Sequence, residues 1–373
     1  MVYLGIQNKI PTMAYQTKDS HEETSLTEVF LEPRCRKAQN VFLNQVDQLI
    51  DWRPIRTLIN KKYTKRQSAV GAPAYDVILL FKMLLLETWY HLSDCELEER
   101  VNDSITFSRF LGLSLEQVSP DHSTVSRFRT ALTELGIMDK LLREFNKQLQ
   151  RHHISIRQGA IVDASIVDTP HKPDGSITIE VADDREDNRS EESKAREENY
   201  QECVVRQRKG TDEEARWVVK RKEYRYGFKK HVLTNCQGII QKVITTPANR
   251  SDVKELIPLL SGEELPAGTP VLADKGYASK ENRRYLHEHL LKDGIMHKAQ
   301  RNRPLTDEEK AENKQISPTR SVIERTFGGI RRWFHGGRCR YRGLARTHTQ
   351  NILESIAYNL YRTPGIIVSS CAK

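Results

Sequence analysis

The spacing of apolar residues changes near residue 157, and no other feature constrains the fold of this chain as strongly. Before that point, segments such as "MDKLLREFNKQLQRHH" carry apolar residues at intervals of three and four, which predicts helices. After it, short β-branched runs such as "GAIVDASIVD" alternate with helical segments such as "SKENRRYLHEHL". Strands that alternate with helices predict an α/β core in the second half of the chain.

The chain then divides into four parts. We predict an N-terminal arm at residues 1–35, an all-α domain at 36–156, an α/β domain at 157–363 and a C-terminal tail at 364–373. Within the α/β domain, "DDREDNRSEESKAREENYQE" is strongly charged and almost free of apolar residues. Such a segment cannot bury a core of its own, so we predict a solvated insertion at about 183–222.

Three acidic residues stand out by their positions in the predicted elements. Asp163 lies inside the first apolar strand, where aspartate is uncommon. Asp274 follows the strand in "TPVLADKGY", at the strand end where open α/β sheets place their chemistry. Glu324 lies on a late helix. Spacing alone does not exclude other acids, which are Asp168, Asp252 and Glu255.

Carboxylates that the fold brings together repel one another unless a positive charge lies among them. Magnesium prefers oxygen ligands and leaves coordination positions free for phosphates. Two such ions can activate water and stabilise the leaving oxygen of a phosphodiester. Three convergent acids therefore favour metal-assisted phosphoryl transfer, whereas the alternative is that each acid is a cap, turn or ion-pair residue.

The charge of the chain favours a polyanionic partner. Its formal net charge is +9, and residues 320–346 hold eight arginines and one acid. Nucleic acid is the first expectation, an anionic membrane the second, and a basic but ordinary enzyme the alternative. The apolar run "VILLFKMLLLETW" is too short to span a bilayer. The six cysteines are scattered without a CxxC pair, which disfavours a zinc site or a disulfide framework and suits a reducing cytosol.

The late helix carries its glutamate among arginines. We place its start at Ser317 as the N-cap and Pro318 as the first helical residue. At 100° per residue, Arg320, Glu324 and Arg331 fall within about 40° of one another. An apolar stripe runs beside them, formed by Ile323, Phe327, Ile330 and Phe334. The flank predicts a metal carboxylate between phosphate-binding guanidiniums, or else a surface ion-pair ladder.

A second candidate surface lies in "SPDHSTVSRFRTALTELG". Asp121 or Ser123 can cap a short helix there, and its first turns expose Arg127 and Arg129. The helix could be the second helix of a helix-turn-helix that enters the major groove of DNA, or an ordinary core helix with a polar face.

The chain resembles the DDE transposases of bacterial insertion sequences, in the branch with a Tyr-Arg-Glu-Lys signature around the last acid. The motifs that carry this resemblance cover most of residues 157–363 and are "GAIVDASIVD", "YGFKKH", "TTPANRSD", "VLADKGY" and "RSVIERTFGGIRRWFHGGRCRYRGL". In the helical half, "WYHLSDCELEERV" and "PDHSTVSRFR" also resemble that branch.

The resemblance implies an α/β RNase H-like catalytic core, a mixed sheet flanked by helices, preceded by an all-α N-terminal domain. It maps the catalytic and metal-binding triad onto Asp163, Asp274 and Glu324. It also implies two Mg²⁺ ions per site, for which Mn²⁺ can substitute. In the signature, Arg320 takes the arginine position and Arg331 the lysine position, whereas Ser317 departs from the tyrosine.

The implied partner is double-stranded DNA, both the terminal inverted repeats of the element and the target. The implied assembly is a homodimer in the synaptic complex, in the cytoplasm near the nucleoid and away from membranes. Our candidate DNA-contacting residues are Arg320, Arg331, Lys229, Lys230, His231, Arg338, Arg340, Arg342, Arg127 and Arg129. Trp217 could stack on a flipped base or pack in the fold. Two alternatives remain open, a host nuclease on the same core and a non-catalytic DNA-binding protein derived from a transposase.

Overall fold

A computed structural model gives the fold of the chain. It describes residues 41–63, 74–114, 117–151, 159–173, 210–220, 222–299 and 303–371, with side chains up to residue 367. The predicted arm at 1–35 and most of the predicted insertion at 183–222 lie outside these residues. No helix of the described part is both long and apolar enough to cross a membrane.

The N-terminal half is helical, as its periodicity predicts. Its helices are α1 Val41–Leu49, α2 Trp52–Asn60, α3 Val77–Tyr90, α4 Asp94–Asp103, α5 Ile105–Leu111, α6 His122–Glu134 and α7 Met138–Gln150. The predicted cap of α6 is present, since the side chain of Asp121 accepts a hydrogen bond from the Thr124 amide. Helix α3 is buried along most of its length, which explains the apolar run in its sequence.

The second half contains a mixed sheet flanked by helices. Its strands are β1 Ala160–Asp168, β2 Arg216–Lys220, β3 Glu223–Asn235, β4 Ile240–Pro247, β5 Pro270–Ala273 and β6 Lys292–Ile295. The strand order is β2-β3-β1-β5-β6, and β4 pairs with β3 as well. Strand β1 is antiparallel to β3 but parallel to β5, which is itself parallel to β6. This architecture confirms the predicted fold class, an α/β RNase H-like core behind a helical N-terminal region.

Four α-helices lie in the described part of the second half, and the last of them joins the two halves. They are α8 Leu256–Leu260, α9 Lys280–Glu288, α10 Asp307–Phe334 and α11 Leu344–Cys371. In α11, the Ala357 carbonyl accepts a hydrogen bond from Trp89 Nε1 of α3 at 3.0 Å. One cluster of buried apolar side chains runs from the N-terminal helices through α11 to the sheet. This cluster crosses the predicted boundary near residue 156, and a second cluster lies wholly within the α/β half.

Two predicted boundaries differ from the structure. Helix α10 begins at Asp307 rather than near Ser317, because Thr306 and Glu309 form a capping box. Pro318 consequently lies inside this helix. A single 3-10 turn, Asp252–Glu255, precedes α8, and the Ser251 side chain makes no capping bond. The predicted tail at 364–373 is helical as far as the end of α11.

Candidate active site

The sheet register brings the two candidate aspartates together. In the parallel pair of β1 and β5, Val162 lies opposite Ala273. Asp163 and Asp274 each follow these partners, so they occupy neighbouring positions on strands about 4.8 Å apart. Each carboxylate accepts a hydrogen bond at 2.8 Å from the backbone N–H of the next residue, which fixes its orientation.

An arginine connects the third acid to this pair. Arg320 of α10 donates from Nη1 to Asp163 Oδ2 at 3.1 Å and from Nη2 to Glu324 Oε1 at 2.5 Å. The Asp163 side chain is 20% exposed and the Glu324 side chain 56% exposed. The guanidinium thus lies between a shielded carboxylate and an accessible one, and serves as the positive charge that both need.

Burial makes the charge of Asp163 costly. It raises the pKa of this carboxyl to about 6, and the neighbouring charge of Asp274 adds to the increase. The N–H of Ala164 and the guanidinium of Arg320 act in the opposite direction and lower the pKa. A carboxylate that is shielded from water and faces a second carboxylate favours the approach of a cation.

This electrostatic cost predicts that Asp163→Asn stabilises the protein in the absence of metal. The pKa of Asp163 is higher in the folded state than in the unfolded chain, so stability falls as pH rises from about 4 to about 6. Above about pH 6 the carboxyl is ionised in both states, so its burial lowers the free energy of unfolding by the full amount. We therefore expect Asp163→Asn to raise the free energy of unfolding by roughly 1–3 kcal/mol. Denaturant unfolding with a chelator at pH 7.5 measures the gain, which should vanish near pH 4. An unchanged or lower stability at pH 7.5 would contradict this account of the site.

The donor set fits a divalent metal ion. Carboxylate oxygens are the ligands that magnesium and related hard cations prefer. Within the described residues, no three His, Cys, Asp or Glu side chains already form a group that could hold a metal. Glu324 instead accepts a hydrogen bond from Arg320 through Oε1.

Arg331 lies beside the same strand. Its Nη2 donates to Ser165 Oγ at 2.5 Å, and Ser165 follows Asp163 by two residues, so both side chains lie on one face of β1. Burial and the nearby charge of Arg225 lower the pKa of Arg331. The structure therefore brings two of the predicted phosphate-binding arginines, Arg320 and Arg331, to the face of β1 that carries the aspartate.

The rival acids have partners of their own. Asp168 pairs with Arg225, Asp252 with Lys229 at 2.8 Å, and Glu255 with Arg250 at 2.7 Å. These contacts give each of the three acids a structural role as one half of an ion pair.

Several candidate DNA contacts are structural, which corrects the prediction. Lys230 is buried and donates to Glu354 Oε2 at 2.7 Å. His231 is fully buried, with its Nε2 2.9 Å from Thr246 Oγ1. Both lie on β3 where it pairs with β1 on one edge and β4 on the other, and both side chains are buried. DNA cannot reach these side chains in the folded protein.

Three further basic residues are also held within the fold. Arg129 is buried on α6 and pairs with Glu87 of α3 and with Asp94 of α4. Arg340 pairs with the same Glu87 at 3.0 Å. Lys229 donates to Asp252 and to the Arg250 carbonyl. Helical and strand periodicity could not reveal these pairs, because each partner is distant in the sequence.

Other candidates lie on the surface. Arg127, Arg338 and Arg342 are exposed. Trp217 is 44% exposed on β2, and its ring centroid lies 5.1 Å from that of Tyr226. The tryptophan thus packs on one ring while a large part of its surface remains open to solvent.

Two site residues were not singled out from the sequence. Ser165 bonds to Arg331, and its position two residues after Asp163 was the available signal. Tyr277 is buried next to the acids, and burial and the charge of Asp163 raise the pKa of its hydroxyl. It belongs to the quoted motif "VLADKGY", but nothing in that motif indicated that its ring would be enclosed.

Comparison with known proteins gives three findings. The Transposase DDE domain family matches residues 154–360, and the family described as Transposase domain (DUF772) matches residues 31–131. The transposase for insertion sequence element IS1106 of Neisseria meningitidis serogroup B is 38% identical over 238 residues, which are 63% of this chain and 76% of that protein. The piggyBac transposase synaptic complex with hairpin DNA aligns with a TM-score of 0.44 and 10% identity, covering 91% of this chain and 76% of that one.

Proposed function

The chain belongs to the DDE transposase family, and from this premise we propose that Asp163, Asp274 and Glu324 are its catalytic carboxylates. It is an insertion-sequence transposase, and its substrate is DNA. The adjacent positions of Asp163 and Asp274 on parallel strands carry the proposal. Arg320 supports it further, because this side chain links Glu324 to Asp163 across the gap between α10 and the sheet.

The proposed reaction has two steps at the ends of the element. A water oxygen attacks the phosphorus at the terminal inverted repeat, the bond to the 3′ oxygen breaks, and that oxygen leaves as a 3′-hydroxyl. The hydroxyl then attacks a phosphorus of target DNA and displaces a second 3′ oxygen. We expect each site to use two Mg²⁺ ions, which when bound supply Lewis acidity to the attacking and leaving oxygens.

The residues of the site have distinct tasks in this scheme. Asp163 and Asp274 would hold the metal, and Glu324 would join them once it has left Arg320. The arginine that Glu324 releases then has free donors for a DNA phosphate, and Arg331 lies on the same face of β1 to neutralise a second one. A homodimer that pairs two element ends completes the proposal.

Cleavage of DNA that carries the ends of the element tests this function directly. Supercoiled DNA with the terminal repeats should be cut at the ends with Mg²⁺ and remain intact with a chelator. Equal cutting of DNA without repeats would identify a host nuclease instead. Intact DNA under all metal conditions, with end binding retained, would identify a non-catalytic derivative.

Helix α6 provides a matched pair of arginine variants. Arg127 is exposed and forms no ion pair with any described residue. Arg129 is buried and pairs with Glu87 and Asp94. We expect Arg127→Gln to weaken end-DNA binding about 2- to 10-fold and leave stability within ~0.5 kcal/mol. Arg129→Gln should lower stability by about 3–5 kcal/mol, because it leaves Glu87 buried and less well paired.

Fluorescence anisotropy with end DNA and denaturant unfolding measure the two effects. If Arg129→Gln left stability unchanged but greatly weakened binding to end DNA, Arg129 would be a DNA contact after all. If Arg127→Gln left binding to end DNA unchanged, α6 would not contact the DNA.

A further inference from the structure

A cavity of about 640 Å³ lies between the turn that joins β3 to β4 and helices α10 and α11. Cys236, Gln237 and Gly238 of the turn form one side, and α10 forms another. Strand β3 is antiparallel to β1, with Asn235 opposite Ala160, so this turn lies at the amino end of β1. Asp163 and Asp274 lie further towards the carboxyl ends of β1 and β5. Glu324 lies on α10 but does not line the cavity.

Three arginines give the cavity a positive charge. Arg325 and Arg332 come from α10 and Arg362 from α11, and all three are exposed. None has an ion-pair partner in the parts of the chain that the structure describes, and no described acid lines the cavity. Arg325 and Arg332 are seven residues apart, so they lie on one face of α10, about 10 Å apart along its axis. That face is rotated by roughly 80–100° from Glu324.

Aromatic rings form part of the wall. Trp333 is 37% exposed, and its ring stacks on Tyr358 with a centroid distance of 6.2 Å and an interplanar angle of 18°. Gly329 permits this approach, because a Cβ there would lie only 2.9 Å from Tyr358 and 3.0 Å from Trp333. A Cβ at Gly328 would meet nothing within 4 Å, so the cavity stays open on that side.

Unpaired arginines around a partly exposed ring suit one class of ligand. Proteins that bind single-stranded nucleic acid combine positive charge along the backbone with aromatic side chains on which bases stack. Duplex DNA keeps the faces of its bases stacked and cannot offer them to Trp333. We propose that this cavity, the arginine–tryptophan cavity, binds a single-stranded segment of DNA away from the catalytic carboxylates.

This second binding surface rests on the proposed function, in which DNA is the substrate. Binding of single-stranded DNA to the cavity requires neither metal nor cleavage. Binding of a labelled oligodeoxythymidine of about 15 nucleotides is therefore measured with a chelator present. The triple variant Arg325→Gln, Arg332→Gln and Arg362→Gln should bind it at least about tenfold more weakly, and the slope of log affinity against log salt should shrink by about 2.

A matched control removes three charges elsewhere. Lys140, Lys147 and Arg284 are exposed on α7 and α9, and their triple glutamine variant should change binding less than about twofold. Trp333→Leu tests stacking and should weaken binding by about tenfold with the charge unchanged. The denaturant unfolding midpoint shows whether Trp333→Leu is folded. If it is not, the binding of the arginine triple variant alone decides the proposal.

The outcomes separate the alternatives. Unchanged oligonucleotide binding by the arginine triple variant would overturn the proposal, as would a loss equal to that of the control. An equal loss of duplex binding would assign the cavity to duplex DNA, and a change from dimer to monomer would make it a subunit interface. Either result would also overturn it. Metal-dependent cleavage of the element ends is measured with the same triple variant. Cleavage depends on the proposed triad, so this measurement tests the triad separately from the single-strand binding site.

Discussion

Replacing any one of the three carboxylates should abolish DNA cleavage and leave binding to the element ends intact. We expect Asp163→Asn, Asp274→Asn and Glu324→Gln each to lower the cleavage rate by about 10³-fold or more, because metal catalysis supplies several kcal/mol and each 1.36 kcal/mol is a factor of ten. Binding should persist because the basic surface stays unchanged. Cleavage gels with Mg²⁺ and anisotropy with end DNA measure the two effects.

The control for this experiment is Glu308→Gln. Glu308 is exposed on the same helix as Glu324 and lies in its first turn, remote from the sheet aspartates. The variant should cleave at the rate of the unaltered protein. Full cleavage by any one of the three carboxylate variants would remove that residue from the triad.

The second large effect concerns stability. Lys230 and Glu354 form an ion pair at 2.7 Å, with side chains that are 3% and 4% exposed. Removing one partner leaves an uncompensated buried charge, so we expect Lys230→Met to lower the free energy of unfolding by about 3–5 kcal/mol. Glu354→Gln should be similarly costly. The double variant should recover much of the loss, because neither charge remains.

Denaturant unfolding of the two single variants and the double variant measures the coupling. Lys254→Met is the control, because Lys254 is exposed in the turn before α8 and should change stability by less than ~0.5 kcal/mol. A Lys230→Met protein of unchanged stability with weakened DNA binding would contradict the buried pair. It would also restore Lys230 to the DNA surface that the motif "YGFKKH" first indicated.

The sequence predicted the parts of the site that depend on local pattern. A short β-branched run with an internal aspartate identified β1, and a second run that ends at Asp274 identified β5, since strand length and residue type are local properties. The pairing of these strands is not local. It depends on the sheet register, which no spacing along the chain reveals.

The wrong predictions have physical causes of the same kind. Pro318 suits the first turn of a helix, but an earlier capping box at Thr306 starts α10 instead. Lys230 and His231 were assigned to a DNA-contacting surface because they belong to the motif "YGFKKH". A central strand is covered on both faces, and there a polar residue is buried with a partner. Glu354 lies on α11, too distant in sequence for any motif to link it with Lys230.

Anomalous diffraction from the protein bound to end DNA with Mn²⁺ tests the central claim most directly. The three carboxylates should surround the metal, with oxygens of Asp163, Asp274 and Glu324 within ~2.5 Å of manganese peaks. Glu324 should have left Arg320, whose guanidinium should contact a DNA phosphate. Manganese bound elsewhere, or Glu324 still paired with Arg320 in the metal-bound complex, would contradict the account.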